Sequence, residues 1–285
     1  MIILGYRTGQ LGNRLFVYAY FIANAMAHKY KVLNPSFDEY GRYFKYLSRN
    51  NIVGYPEGKW YPRKFMLFIF KVVFKFMHIV NKKQLGNRFL KFYYLEESKD
   101  CDLQSKEFLM LVKSTKFLVI QGWGYRDDKS FNKYADELRE YFDIHDYHVN
   151  NIRILIADAR KKGEILIGLH IRRGDYRYFQ DGRYFYSDDE YRSVMKKIET
   201  LFFPQNVSWI ICSNETIEDS FYDFSYTLGN NHLIEDMYTF SQCDYIVGAP
   251  STYTAWASFY GKKPIYFIEE IEHVVSLDDF KVVGS

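Results

Sequence analysis

The sequence predicts an α/β protein built from two Rossmann-like halves. Short apolar runs alternate with helical stretches through the second half of the chain, the pattern of a parallel sheet covered on both faces. The first thirty residues read strand, glycine-rich loop, helix, a βα unit that can open a Rossmann-like domain. With 285 residues, 48% of them apolar, the chain can bury two cores of ordinary size.

Met1-Ile2-Ile3-Leu4 is the first strand, residues 5–12 form a loop with three glycines, and 13–29 have helical composition with no Pro or Gly. Gly9-Gln10-Leu11-Gly12-Asn13 is neither a dinucleotide fingerprint nor a P-loop. It exposes backbone amides at a helix N-terminus, which favours anions. Residues 117–120 are a strand, 121–125 a loop and 131–142 a helix, followed by a helix over 149–162. The domain junction falls near 145–150, giving domains 1–147 and 148–285. Beyond it come strand 164–170, helix 188–201, strands 207–212 and 244–248, helix 252–260 and strand 264–268.

A net charge of +3 does not predict a nucleic-acid binder. The 27 Tyr and 25 Phe suit sugar or base stacking, but base-content bias explains them as well. Cys101, Cys212 and Cys243 show neither metal-ligand spacing nor a disulfide framework, and fit a reducing cytoplasm. No leader peptide and no spanning helix are expected. Asp100-Cys101-Asp102 is a literal Asp-x-Asp pair, but no buried strand precedes it and it reads as solvated surface, so no metal is expected.

Residues 58–95 hold nine Lys or Arg and no Asp or Glu. Lys71, Lys75, His78 and Lys82 form one polar stripe on a helix that is otherwise apolar from Phe65 to Val80. A basic amphipathic insert of this kind suits the inner face of a membrane, and a core helix with its lysines in water accounts for the same pattern.

The most informative segment is His170-Ile171-Arg172-Arg173-Gly174-Asp175, which follows the apolar run 164–169. It sets two guanidinium groups and a carboxylate at the carboxyl end of a strand, where open α/β sheets bind ligands. Arg offers a permanent charge and a rigid fork that matches phosphate oxygens. Two more segments end at the same expected sheet edge. One is 209–215, closing on Ser213 and Asn214. The other is 244–252, closing on Ser251 and Thr252. Those hydroxyls cap a helix, hold a phosphate there, or do both. Together the three loops make a plausible diphosphate site.

These stretches resemble bacterial α-1,2-fucosyltransferases of glycosyltransferase family 11. The resemblance rests on Gly9-Gln10-Leu11-Gly12-Asn13-Arg14-Leu15-Phe16, on Gln121-Gly122-Trp123-Gly124-Tyr125, on residues 170–175 and on 236–252. It implies a GT-B fold, two Rossmann-like domains facing a cleft, and an inverting transfer of L-fucose from GDP-fucose to a glycan hydroxyl. The expected linkage is α-1,2 to a galactoside of a surface polysaccharide. By position it implies Arg172 on the β-phosphate, His170 shaping that loop, and Arg173 also binding the donor. Ser213 and Asn214 line the nucleotide pocket, Asp236 contacts the guanosine, and Ser251 and Thr252 hold phosphate oxygens. Gly9, Gly12 and Asn13 border the cleft on the acceptor side. Asp175 is a candidate base for the acceptor hydroxyl, with orientation of Arg172 or Arg173 as its other reading. No metal cofactor is implied.

The late segment Ala249-Pro250-Ser251-Thr252-Tyr253-Thr254-Ala255-Trp256 departs from the family's Asn-Ser-Thr-Phe-Ser-Trp-Trp, and the Gln expected after the first-domain Gly-Trp is absent. The donor side is therefore better preserved than the acceptor side. Another nucleotide sugar, or a non-catalytic glycan- or nucleotide-binding protein, are the competing readings. A lipid-linked acceptor would suit the basic insert, since each lysine near an anionic leaflet is worth about 1 kcal/mol. Flotation with anionic liposomes should show binding at low salt that is lost at high salt. A protein that stays with the soluble fraction in both would refute membrane contact.

Overall fold

A computed structural model describes residues 1–5, 9–48, 54–56, 68, 72, 85–96, 98–217 and 221–284. The chain divides into two compact units. One spans Met1–His145 with Gly284, the other Asp146–Val283. The division falls at 145/146, inside the junction window read from the sequence and two residues before the 147/148 boundary.

In the first unit β1 (Ile2–Leu4) leads into α1 (Leu11–His28), then β2 (Val32–Leu33), β3 (Gly54–Tyr55), β4 (Leu85–Gly86), β5 (Leu90–Tyr94) and β6 (Cys101–Asp102). After these come α2 (Lys106–Ser114), β7 (Phe117–Gln121), β8 (Tyr125–Arg126), α3 (Asp128–Lys133) and α4 (Ala135–Tyr141). The main sheet runs β3-β2-β1-β7-β5-β4. Its four central strands are parallel, and β3 and β4 close the edges antiparallel. Because α1 is buried over most of its length, its polar Asn24 must be satisfied inside. Asn24 donates to Asp127 at 2.7 Å and to the Leu103 carbonyl at 3.2 Å, and accepts from the Tyr30 hydroxyl at 2.7 Å.

One expectation changes here. The single helix over 131–142 is two, broken at Tyr134 (φ −108°, ψ 27°). Asp127 caps the Ser130 amide and starts the first of them three residues early. The tail of the basic insert, to which the sequence reading assigned no element, carries β5, paired in parallel with β7. The polar stripe of Lys71, Lys75, His78 and Lys82 lies outside the described residues. No helix among the described residues is long and apolar enough to cross a membrane.

The second unit follows the expected alternation. It contains α5 (Asp146–Arg160), β9 (Ile165–Ile171), α6 (Asp188–Phe202), β10 (Val207–Ser213), β11 (Tyr226–Leu228), α7 (Leu233–Phe240), β12 (Tyr245–Gly248), α8 (Thr252–Gly261) and β13 (Ile265–Phe267). The sheet is wholly parallel, in the order β11-β10-β9-β12-β13. Central β9 is buried from Leu166 to Ile171. Ser187 and Glu190 form a reciprocal capping box at the start of α6, which satisfies two of its orphan amides. The short β11 and helix α7 were not foreseen.

Gly168 lets α7 approach β9, since a Cβ there would sit 2.4 Å from Phe240 Cδ1. On the same side of the unit, Arg160 grips Asp244 in two bonds of 2.7 and 2.8 Å, and Asp244 also accepts the Leu166 amide. Burial pushes the Asp244 carboxyl up, but these bonds and the Arg160 charge outweigh it and hold it below its ordinary value. Cys212 and Cys243 are buried free thiols and Cys101 is half-buried. Burial raises all three, Cys101 to about 11 and Cys243 to about 12.

Gly168→Ala should destabilise the second unit by about 1–3 kcal/mol through overpacking against Phe240, read by chemical denaturation. Because Asp244 is depressed in the fold, its contribution is present above the unfolded value near 3.9 and is lost as pH falls through the folded one. The stability gap between wild type and Arg160→Gln should therefore be full at pH 7 and shrink below about pH 4. An equal gap at both pH values would refute the pairing.

Candidate functional site

The chain leaves β9 toward β10 and β11, then returns to β9's other side as β12 and β13. The strand order thus reverses between β9 and β12, the point at which open parallel sheets bind ligands beyond their carboxyl ends. Register fixes what meets there. His170 stands opposite Cys212 on one neighbour and Gly248 on the other. Pairing stops at Ile171, and Arg172 and Arg173 come next.

The loop after β9 is built rather than loose. Asn214 Oδ1 accepts the Arg173 amide at 2.8 Å, and Glu215 Oε1 accepts the Gly174 amide at 3.1 Å. Gly174 has φ +59°, and a Cβ there would meet Asn214 Nδ2 at 2.7 Å, so the turn needs a glycine on both counts. Ser213, the last residue of β10, accepts the Glu215 amide at 3.1 Å and shapes the same clamp.

Both guanidinium groups already face carboxylates. Arg172 Nη2 lies 2.8 Å from Asp175 Oδ1, with its side chain only 15% exposed and that of Asp175 56% exposed. The Arg172 guanidinium also sits over the Tyr176 ring, 5.3 Å from its centroid. Arg173 pairs with Asp188 in the first turn of α6, so its charge points toward that helix. Asp175 thus lies against Arg172 and not Arg173.

Beneath the arginines, His170 is 4% exposed. Its ring packs on Tyr253 at 5.1 Å and Phe240 at 5.8 Å. Burial, aided by the Arg172 charge, lowers its pKa to about 3, so it is a neutral shape-forming residue near pH 7 and not a cation. Tyr176 donates to the Pro250 carbonyl at 2.5 Å, which ties the β9 loop to the β12 loop. There Ser251 caps α8 by accepting the Tyr253 amide at 3.2 Å, while Thr252 is the exposed first residue of the helix.

Asp236 lies on α7 and is 7% exposed. Burial raises its pKa to about 6, against the pull of the Asn230, His232 and Asn231 amides. Oδ1 has no hydrogen-bond partner among the described residues. At Gly229 a Cβ would sit 2.5 Å from Cys212 Sγ and 2.8 Å from Asp236 Oδ1, so only glycine fits between them. In the first unit Gly9 has φ +57° and packs on Asn13, and its carbonyl accepts from Arg14 Nε at 3.0 Å. Gly12 is buried in the first turn of α1 and Asn13 is half-buried.

The fold thus gathers Arg172, Asp175, Arg173, Ser213 and Asn214 into one hydrogen-bonded loop pair, and joins Ser251 to it through Tyr176. Sequence reading missed Tyr176, Asp188, Glu215 and Tyr253, whose roles depend on contacts distant in sequence. Glu215 and Tyr253 lay within segments already singled out, but without a role of their own.

The family model for glycosyl transferase family 11 matches residues 63–273. A search of curated proteins finds no match. Solved structures do match in fold. A mutant of Arabidopsis thaliana FUT1 in complex with GDP aligns with TM-score 0.62 and 14% identity, covering 94% of this chain and 69% of that one. Fucosyltransferase NodZ from Bradyrhizobium gives TM-score 0.54 and 12% identity, covering 95% and 96%. POFUT1 in complex with GDP gives 0.56 and 10%, covering 93% and 98%. Sharing the GT-B fold of these fucosyltransferases, and matched by the family model over most of its length, the chain belongs to glycosyl transferase family 11.

Proposed function

We propose that this glycosyltransferase moves L-fucose from GDP-fucose to a hydroxyl of a glycan acceptor, with inversion. The finer proposal is α-1,2 transfer to a galactoside during surface polysaccharide synthesis. One observation carries the reading: Arg172 and the start of α8 emerge from neighbouring strands at the switch point and are tied together by Tyr176. A guanidinium, a capping hydroxyl and helix amides then converge where a diphosphate can sit. Fold relatives crystallised with GDP or GDP-fucose support the choice of donor.

In this proposal the acceptor oxygen bonds to the anomeric carbon as that carbon parts from the β-phosphate oxygen. GDP leaves with the electron pair, and the acceptor proton passes to a base or to water. Negative charge grows on the β-phosphate, so a fixed guanidinium favours the transition state over the ground state. Arg172 supplies that charge, Ser251 and Thr252 hold phosphate oxygens, and Ser213 and Asn214 wall the pocket. The Asp236 carboxylate takes the guanine N–H groups. His170 fills the floor, and Arg173 holds the loop through Asp188. Asp175 aims Arg172. No metal ion is needed to neutralise the leaving group. Gly9, Gly12 and Asn13 serve the acceptor side. The acceptor is proposed to be lipid-linked, with transfer at the inner face of the cytoplasmic membrane.

Calorimetry with GDP, GDP-fucose, GDP-mannose and UDP-galactose, in EDTA, tests the donor. Selective binding of GDP and GDP-fucose is expected, together with a loss of about 10²–10³ in turnover for Arg172→Ala. Absence of guanosine binding would refute the donor site. Asp175→Asn separates the two roles of that carboxylate. As an orienting group it should weaken donor affinity and turnover together. A fall in kcat at unchanged donor affinity would make Asp175 the base instead.

A further inference from the structure

Beside Asp236 lies a second constellation that sugar transfer leaves unused. His148 is in the first turn of α5, Glu235 is in the first turn of α7, and His232 is the residue that caps α7. His148 and Glu235 are 2% and 6% exposed, and His232 is half-buried. His148 Nδ1 is 2.8 Å from Glu235 Oε1. The two imidazole rings have centroids 4.9 Å apart, inclined at 37°. One ligand atom from each of the three residues lies within 4.8 Å of the other two. Among the described residues this is the only such trio of His, Cys, Asp or Glu.

We propose that His148, His232 and Glu235 form a binding site for a divalent transition-metal ion, zinc by preference. Two imidazoles and one carboxylate are a zinc donor set, and a fourth position is left for water. Magnesium and calcium require mostly oxygen ligands, which the site does not offer. Geometry permits the change. A tetrahedral ion with bonds of about 2.0–2.2 Å holds its ligand atoms roughly 3.3 Å apart. The His148–Glu235 pair must therefore open by only about half an ångström. His232 closes in by turning a half-buried side chain.

The carboxylate is already oriented from outside. Asn151 donates to Glu235 Oε1 and Asn230 to Oε2, each at 2.8 Å. Outer hydrogen bonds of this type fix a ligand's direction and raise metal affinity. The ion competes with the hydrogen-bonded state. It displaces the His148–Glu235 bond, whose ring proton shifts to Nε2, and it disturbs the 3.3 Å bond by which His232 Nδ1 accepts the Glu235 amide. That competition places the affinity below that of a structural zinc finger, whose ligands give up no such bonds. The site lies in one unit and takes no part in transfer. It does fasten α5 to the turn whose amides hold Asp236, and so offers a means to adjust that turn.

The test uses the full chain, free of any histidine tag and stripped with EDTA, titrated by calorimetry with zinc, magnesium and calcium chlorides. One zinc per chain is expected, with no magnesium or calcium uptake. His148→Gln and Glu235→Gln should each weaken zinc binding by at least about tenfold, while His273→Gln, remote from the site, should not. Cobalt(II) gives a second readout: a tetrahedral ligand-field spectrum that both site variants lose. Three results would overturn the proposal. They are no zinc uptake, uptake that survives in both folded site variants, and a melting temperature that falls in those variants while zinc leaves the wild type unmoved. The last would show a purely hydrogen-bonded helix cap. None of these outcomes bears on donor binding, which the nucleotide titrations measure in EDTA.

Discussion

Everything in the second unit follows from burying β9 between two parallel neighbours. A strand in that position has no solvent to satisfy its amides and carbonyls, so β10, β12 and, at Leu166, the Asp244 carboxylate take them. The register is then fixed along its whole length, and with it the spot where pairing ends and charge begins. Gly168 and Gly248 are the steric cost of this crowding. One admits the Phe240 ring, and the other brings β12 to within 2.8 Å, as measured from its absent Cβ to the His170 carbonyl. The loop that emerges is positioned by the sheet and not by its own preferences.

The electrostatics of that loop depend on what is not charged as much as on what is. With His170 neutral under two guanidinium groups, the positive charge is confined to the arginines, and each has a carboxylate beside it. Arg173 is committed to Asp188 near the base of α6. Arg172, itself largely buried, is paired with Asp175, which is mostly in water, and solvent at the carboxylate screens the pair so that it contributes little to stability. In the proposed donor complex, a diphosphate that displaces Asp175 gives up little and gains a pre-aimed fork. The same pair holds the guanidinium in one place before any ligand arrives, which is what preorganisation means physically.

Much of this was legible in the sequence, and the parts that were not share a cause. The buried strands of the second unit announce themselves as continuous apolar runs, and His170 to Asp175 reads as a strand end at sight. Helix α7 did not, because seven of its eight residues, all but Leu233, are buried and no polar face gives it a period. Strand β5 is half-exposed along its length and sits in a lysine-rich stretch, so it was absorbed into the basic insert. The early start of the helix before Tyr134 is set by the Asp127 cap, a contact that the apolar spacing of 131–142 does not show. Asp188, Glu215 and Tyr176 acquire their roles from partners 15, 41 and 74 residues away, a separation that no local pattern encodes.

The three thiols have a practical side. Thiolate is the reactive form of cysteine, and here burial keeps every sulfur protonated at neutral pH, with Cys212 and Cys243 also shut away from solvent. Cys101 alone of the three is within reach of solvent, and burial holds its thiol up at about 11. A single cysteine engineered onto the surface, with an ordinary thiol, would therefore take a fluorophore or spin label ahead of the native three.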